Sequence, residues 1–181
     1  MAEQRLIDEL LAKLEEERAR ILAQAAALTK EQANFAPADA EGEAEWTPKE
    51  QWAHMAQMEI NYRAWIRAGL AEDAPDVSEV AGEPAAIPLT RATAASTADL
   101  VDQLVRERAK TLDVLHAMTP DQFDRTATHR MFGTLTLLQW ARSYYRHDRM
   151  HLDQIAGREP EYRPRFAGGQ EPDQRARADR P

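Results

Sequence analysis

The stretch EQRLIDELLAKLEEERARILAQAAAL, residues 3–28, carries the pattern that decides the fold. Its apolar residues recur at alternating steps of three and four, and Arg18 fills the one gap in the series. Because an α-helix completes a turn every 3.6 residues, this spacing predicts an amphipathic helix over residues 3–28 with one apolar face. The apolar series comprises Ile7, Leu11, Leu14, Ile21, Ala25 and Leu28.

A second helix is signalled by residues 47–50, TPKE, which place threonine at the N-cap, proline at the first helical position and glutamate at the third. We predict that it runs to about Gly69. Residues 70–95 contain three prolines and no sustained periodicity, which indicates a long connection that is either a crossover or a lid. A connection of this length permits the helices on either side to be parallel neighbours.

Two further helices complete the pattern. Ser96 caps a third helix that ends near Met118, and Gly133-Thr134 opens a fourth that ends at Gly157. Four amphipathic helices in one chain of 181 residues predict an all-α four-helix bundle. The bundle occupies residues 1–157, and the Pro-, Gly- and Arg-rich residues 158–181 are predicted to be an extended or disordered tail.

Composition excludes several classes of function. The chain has no cysteine, so a metal site would have to be built from His, Asp or Glu. A net charge of -8, with arginines interleaved among acids, argues against nucleic-acid binding. No apolar run approaches the roughly 20 residues of a membrane span, and the N-terminal segment is too charged for a secretory signal. We therefore expect a cytoplasmic protein with no membrane partner.

The sequence also repeats internally. Residues 17–19 and 107–109 are both Glu-Arg-Ala, and Gln51-Trp52-Ala53 recurs as Gln139-Trp140-Ala141. These matches pair the first helix with the third and the second with the fourth, as in two helix pairs related by a pseudo-twofold axis. At the second offset Glu59 falls opposite His147.

Three histidines form the candidate site. His147 and His151 are four residues apart, which places both imidazoles on one face of the fourth helix. His54 lies on the largely apolar face of the second helix, and it supplies a third nitrogen if the two helices pack together. Three imidazoles with open coordination positions are typical of a catalytic zinc or a similar divalent ion. The alternative is a hydrogen-bonded core histidine and a solvated pair, and spacing alone does not separate the two.

Two segments resemble a known family. Residues 46–54, WTPKEQWAH, followed by Glu59, and residues 135–155, which include HDRMHLDQI, are similar to the signature regions of the DinB/YfiT-like superfamily. The resemblance covers residues 3–157. It implies a four-helix bundle with up-down-down-up topology and a divalent metal, commonly zinc or nickel, held by His54, His147 and His151.

The resemblance also implies a range of activities. Characterised members include thiol S-transferases that use bacillithiol or mycothiol, a mycothiol-dependent maleylpyruvate isomerase, and proteins described as metal-dependent hydrolases. In each, the metal presents a thiolate or hydroxide to a small electrophile. We therefore expect a metal-dependent S-transferase or hydrolase with a small-molecule substrate, a low-molecular-weight thiol as possible co-substrate, and a homodimeric assembly. The alternatives are a metal- or small-molecule-binding bundle without turnover and a bundle kept for dimerisation.

Two other residues are candidates for catalysis. Asp148 gives the histidine pair the form H-D-x-x-H, and it is a candidate general base; the alternative is a surface ion pair with Arg149 or Arg146. Tyr144, one turn before His147, is a candidate donor to a metal-bound anion, or else a core residue. Arg18 interrupts an apolar stripe, and so does Arg108 in the third helix. A buried or half-buried pairing with Glu59 is favoured over the alternative, a role in substrate binding, because an unpaired charge inside a bundle is costly.

Overall fold

Four long α-helices and one short helix form the framework of the protein. A computed structural model describes residues 2–165 and 168–175. The helices are α1 (Gln4–Ala27), α2 (Lys30–Ala33), α3 (Pro48–Ala71), α4 (Thr97–Ala117) and α5 (Leu137–Ile155). Short 3-10 helices lie at Gly42–Glu45, Leu89–Arg91 and Pro120–Asp124, and four strands are β1 (Thr126–His129), β2 (Gly133–Thr136), β3 (Tyr162–Pro164) and β4 (Asp173–Arg175). No helix in the described ranges is long and apolar enough to cross a membrane.

The helix starts follow the predicted capping signals. At α3 the Thr47 hydroxyl accepts a hydrogen bond from the Glu50 backbone N–H at 3.3 Å, and the Glu50 carboxylate accepts one from the Thr47 N–H at 2.8 Å. Ser96 caps α4 in the same way by accepting from the Asp99 N–H. Each cap satisfies backbone donors that the first helical turn leaves free. The predicted bounds of the first three long helices are confirmed to within two residues.

The start of the fourth long helix differs from the prediction. Gly133-Thr134 does not open α5; it belongs to β2, which pairs antiparallel with β1. The helix begins at Leu137, because Thr136 and Gln139 form a capping box there. Gly133 has φ +70°, a conformation suited to glycine at the turn of this hairpin.

The predicted tail is folded over part of its length. Strands β3 and β4 pair antiparallel and pack against α5. The side chains of Tyr162, Glu171 and Asp173 are buried. Residues 166–167 and 176–181 of the predicted tail lie outside the described residues.

The core has two apolar clusters separated by charges. The first is built from the N-terminal halves of α1 and α5 and the C-terminal halves of α3 and α4, and the second is built mainly from the opposite halves. Between them each long helix contributes one side chain to a network of buried ion pairs. These four side chains are Arg18, Glu59, Arg108 and Asp148, and we call them the charged quartet.

The charged quartet has pseudo-twofold symmetry. Arg18 donates from Nη1 to the Leu104 carbonyl, and Arg108 donates from Nη1 to the Leu14 carbonyl, so the two arginines exchange equivalent contacts. Glu59 and Asp148 each accept hydrogen bonds from both arginines. The predicted pairing of Arg18 and Arg108 with Glu59 is confirmed.

The symmetry corrects one detail of the predicted repeat. Glu59 is equivalent to Asp148, whereas the Gln-Trp-Ala repeat placed Glu59 opposite His147. The separation in sequence between the capping boxes at Thr47 and Thr136 equals that between Glu59 and Asp148. With this separation, Met58 and Tyr62 occupy the positions on α3 that are equivalent to His147 and His151 on α5. Neither provides an imidazole, so the pseudo-twofold symmetry does not generate a second copy of the candidate site.

Candidate metal centre

The three predicted histidines meet between α3 and α5. The His147 Nε2 atom lies 3.1 Å from His54 Nε2 and 3.2 Å from His151 Nε2. His147 and His151 are one helical turn apart on α5, and α3 brings His54 against them from the facing helix. The three imidazoles therefore point the same ring nitrogen at one common point.

A chain of hydrogen bonds orients His151. The Gln51 side-chain amide donates from Nε2 to the Trp46 carbonyl at 3.2 Å, which leaves Gln51 Oε1 facing His151 Nδ1 at 3.0 Å. An amide oxygen can only accept, so His151 carries its proton on Nδ1. Its Nε2 lone pair is then free and directed at the other imidazoles, the arrangement that metal-binding histidines use. The Trp46 ring also packs edge-on against His54, with 5.0 Å between ring centres.

Burial keeps two of the histidines uncharged. His147 is 7% exposed and His151 is 0% exposed. Burial lowers the pKa of both imidazoles well below the usual value, and the neighbouring histidines lower the two pKa values further. A neutral imidazole offers a lone pair, which is the form that binds a metal ion.

Glu43 is a fourth member of the cluster, and the sequence analysis missed it. Its Oε1 lies 3.2 Å from His54 Nε2, and its Oε2 lies 3.7 Å from His151 Nε2. Burial acts to raise the pKa of this carboxyl, but the hydrogen bond with His54 and the electrostatic effects of the His54 and His151 imidazoles outweigh it, so the net pKa is lowered. Glu43 therefore faces the imidazoles as a carboxylate.

The donor set fits a divalent ion. The ligand atoms of Glu43, His54, His147 and His151 all lie within 4.8 Å of one another. Imidazole nitrogen with carboxylate oxygen is a combination that zinc and related late divalent ions accept. Because His147 Nε2 lies within hydrogen-bonding distance of both His54 Nε2 and His151 Nε2, an ion at their centre would satisfy lone pairs that otherwise face one another.

The comparisons with known proteins identify the family. A family model described as the DinB superfamily matches residues 13–155. The chain belongs to the DinB superfamily. No curated protein matches it significantly.

The fold of this chain is similar to that of a solved structure. That structure is YfiT from Bacillus subtilis, described as "a probable metal-dependent hydrolase with an unusual four-helix bundle topology". The likeness has a TM-score of 0.70 at 21% sequence identity, and it covers 87% of each chain. It establishes the four-helix bundle for the present chain.

Asp148, the predicted general base, lies in the charged quartet. Both of its carboxylate oxygens accept hydrogen bonds from arginines. Arg18 donates to Oδ1 at 2.9 Å and to Oδ2 at 3.0 Å, and Arg108 donates to Oδ2 at 3.0 Å. Its partners are therefore interior arginines, not Arg149 or Arg146 as the alternative interpretation had it. The residue is 2% exposed and both carboxylate oxygens accept hydrogen bonds from guanidinium groups, so the structure places Asp148 in a buried ion-pair network.

Tyr144, the predicted hydrogen-bond donor, also lies in the bundle interior. Its ring packs edge-on against Tyr62 with 5.3 Å between ring centres, and the Arg108 guanidinium carbon lies 5.8 Å from its centre. Burial raises the pKa of its hydroxyl well above the usual value, and the charge of Glu59 adds to the rise. These neighbours place Tyr144 beside the charged quartet.

A small pocket adjoins the centre on the side of Trp46 and Gln51. It encloses about 170 Å³, and most of its lining is apolar. Phe35 forms part of the lining, although the residue is 64% exposed. An apolar ligand group bound there would contact the same Trp46 that packs against His54.

Proposed function

We propose that this DinB-superfamily chain is a metal-dependent enzyme that attacks a small electrophile, either as a hydrolase or as a thiol-dependent S-transferase. The observation that carries the proposal is the convergence of three imidazole Nε2 atoms with a carboxylate beside them. Family membership supports it, and so does the fold shared with a protein described as a probable metal-dependent hydrolase. The adjoining apolar pocket supports a small organic substrate.

The histidines would hold the ion, and zinc or nickel fits their chemistry. A bound divalent ion supplies a positive charge that lowers the pKa of water or a thiol and so makes a nucleophile available at neutral pH. Gln51 holds His151 in the tautomer that leaves Nε2 free. Glu43 takes up the proton of the nucleophile at its carboxylate, because it lies beside the imidazoles on the more exposed side of the cluster.

Metal analysis tests the site. The purified wild-type protein is expected to bind one equivalent of zinc or nickel, and His54→Ala, His147→Ala and His151→Ala are each expected to lose most of it. Asp113→Asn, a change at an exposed residue of α4, is the matched control. Stoichiometric metal in all three histidine variants would exclude the site.

The thiol requirement separates the two reaction types. Consumption of an electrophile such as a chlorinated nitrobenzene or an activated ester is followed with and without a low-molecular-weight thiol. Turnover that needs the thiol indicates an S-transferase, and turnover of the ester without thiol indicates a hydrolase. Absence of multiple turnover in both assays would reject the enzyme.

A binding protein without turnover is the second candidate. The observation in its favour is Glu43, since a fourth protein donor could close a tetrahedral set as structural zinc sites do. Glu43→Gln decides between the two. We expect the variant to keep its metal and to lose turnover by a factor of roughly 10² to 10⁴, as removal of a general base does. Loss of the metal instead would assign Glu43 as the closing ligand.

We also propose the up-down-down-up topology with a crossover between α3 and α4. Support comes from the apolar clusters, in which the N-terminal halves of α1 and α5 meet the C-terminal halves of α3 and α4. The residues from Glu72 to Ser96 between these two helices provide the length that a crossover needs. The homodimer, the thiol co-substrate and the cytoplasmic location stay predictions.

A further inference from the structure

A cavity of about 600 Å³ lies between α1, α5 and the hairpin formed by β3 and β4. The metal centre lies between α3 and α5, and the described residues that line the cavity include none of its four members. Ligand pockets in proteins typically enclose about 300 to 1,000 Å³, so this cavity has the size for an organic molecule. Five of the described residues that line it are arginines, and we call it the arginine cavity.

Three of these arginines project from one face of α5. Arg142, Arg146 and Arg149 are spaced by four and three residues, which places them on the same side of the helix. Glu171 forms ion pairs with Arg142, at 3.2 Å, and with Arg146. Arg146 also donates to the backbone carbonyl of Asp173 at 2.9 Å. Contacts with the hairpin therefore fix two of the three guanidinium groups before any ligand binds.

The third arginine of this face, Arg149, is held less closely by its neighbours. Asp153 Oδ2 and Glu161 Oε2 lie 3.4 and 3.5 Å from Arg149 Nε. Glu17 Oε2 lies 3.7 Å from Arg149 Nη1. These separations exceed the roughly 2.7 to 3.2 Å of an ordinary N–H···O hydrogen bond.

Two of the guanidinium groups keep donor capacity that the neighbouring acids do not use. The Nε atoms of Arg146 and Arg149 are buried, and neither has a hydrogen-bond partner among the described residues. A buried donor without an acceptor costs free energy, so a purely structural ion-pair network does not explain these two side chains fully.

Positive charge predominates in the arginine cavity. Among the described residues that line it, six cationic side chains accompany three acidic ones, although the chain as a whole has a net charge of -8. An excess of one sign in a concave site attracts ions of the opposite sign. Lys13 and Arg20 also form ion pairs with Glu16, so the arginines of α5 are the stronger candidates for binding an anion. The cations are Lys13, Arg20, Arg142, Arg146, Arg149 and Arg175, and the acids are Glu9, Glu17 and Glu161.

Aromatic and aliphatic side chains complete the lining. Tyr145 of α5 and Tyr162 of β3 lie edge-to-face with 6.4 Å between ring centres, and Leu6 and Leu10 of α1 also line the cavity. The Arg146 guanidinium carbon lies 5.9 Å from the Tyr145 ring centre and 5.6 Å from the Tyr162 ring centre. Cationic donors and apolar surface thus occur side by side, which suits a ligand with both an anionic group and an aromatic body.

We propose that the arginine cavity binds a small aromatic anion, whose carboxylate or phosphate accepts hydrogen bonds from Arg146 and Arg149 and whose ring packs beside Tyr145. Both oxyanions match the planar fork of guanidinium donors, and both accept charge-assisted hydrogen bonds from arginine. This binding does not depend on the metal centre, so the proposed function and the anion site can fail separately.

Calorimetric titration of the full chain tests the ligand class. Benzoate, phenyl phosphate and the neutral benzamide are titrated into wild type at low ionic strength, with zinc present and again after chelation. We expect one equivalent of at least one of the two anions to bind, and benzamide to bind at least about 10-fold more weakly because it lacks the charge. No saturable binding of either anion, equal affinity for benzamide, or binding that disappears on chelation would overturn the proposal.

Charge changes in the cavity locate the bound anion. Arg149→Gln removes a donor and is expected to weaken binding roughly 10- to 100-fold, the usual range for a hydrogen bond to a charged group. Glu17→Gln removes a lining carboxylate and is expected to tighten binding about 3- to 10-fold, because one repelling charge is gone. Arg106→Gln and Asp113→Asn make the same changes of charge at exposed residues of α4, and both are expected to match wild type.

A purely structural role for Arg149 predicts a different pattern. Circular dichroism and urea denaturation establish whether each variant is folded, and Arg149→Lys, which keeps the charge and loses the planar fork, is expected to bind with intermediate affinity. If Arg149→Gln does not fold, Arg149→Lys and Glu17→Gln decide. Affinity of the Arg149 variants within about twofold of wild type, or weaker binding by Glu17→Gln, would show that the anion does not bind in this cavity.

Discussion

Replacement of Glu59 by glutamine tests the charged quartet, which fixes α5 next to the two histidines that it carries. Between Arg18 and Arg108, the pKa of the Glu59 carboxyl falls to about 2 from the usual 4.5, because the two guanidinium charges outweigh the cost of burial. A shift of this size corresponds to about 3 kcal/mol in favour of the ionised folded state. The substitution also leaves both arginines buried with a single carboxylate partner among the described residues, Asp148. Breaking a buried pair typically costs about 3 to 5 kcal/mol.

We therefore expect Glu59→Gln to lower the free energy of unfolding at pH 7 by about 3 to 5 kcal/mol. For a protein of this size that is a fall in melting temperature of roughly 6 to 20 °C. Urea denaturation followed by circular dichroism measures the change, with the exposed Asp113→Asn as control. A loss below about 1 kcal/mol, the ordinary effect of a mild substitution, would refute the interpretation of the quartet.

The same variant has a pH signature. Since the folded pKa of Glu59 is depressed, its contribution is present above pH 4.5 and disappears as the pH falls toward 2. Wild type is expected to lose this part of its stability over that window. Glu59→Gln is expected to lack it, so the stability difference between the two proteins should shrink as the pH falls. A constant difference down to pH 2.5 would contradict the assigned carboxylate.

Three further predictions follow from the site and its surroundings. Gln51→Leu removes the acceptor for His151 Nδ1–H, so its zinc affinity is expected to fall by roughly 10- to 100-fold, measured by competition with a chelator. An unchanged zinc affinity would show that Gln51 does not orient His151. The metal-free protein is expected to lose stability as the pH falls below 6.5, because the buried imidazoles of His147 and His151 have pKa values well below 6.5 in the folded state and bind protons only on unfolding. Urea denaturation at pH 7.5 and at pH 5.5 measures the loss, and equal free energies of unfolding at the two pH values would contradict it. Tyr144→Phe is expected to keep its turnover in the electrophile assay, because the hydroxyl lies beside the charged quartet, and a loss of roughly 10²-fold or more would restore Tyr144 as a proton donor.

The helices could be predicted because their signals are local. The capping boxes at Thr47 and Thr136 use contacts three residues apart, and the amphipathic spacing of α1 repeats every turn. The predicted start of the fourth helix at Gly133 is wrong, because the capping box of Thr136 and Gln139 begins the helix three residues later and Gly133 lies in a hairpin. Pairing of β1 with β2 joins residues across a turn, and helical periodicity does not report it.

The charged quartet could be predicted only in part from the sequence. Arg18 and Arg108 interrupt apolar stripes at equivalent repeat positions, which was enough to predict their pairing with Glu59. It was not enough to find Asp148 as the fourth member. Its neighbours along α5, the histidines and the arginines, offered closer partners in sequence than the true ones on α1 and α4.

By itself the sequence determined which segments are helical, where most of them begin, and which three histidines can share a face of the bundle. Helix capping and helical periodicity involve residues only a few positions apart, so both can be recognised in the sequence alone. Only the tertiary structure decided that Glu43 lies beside the imidazoles, that Asp148 is held by arginines, and that the hairpin of β3 and β4 packs against α5. Each of these depends on the packing of segments far apart in the chain, and no local spacing of residues encodes it.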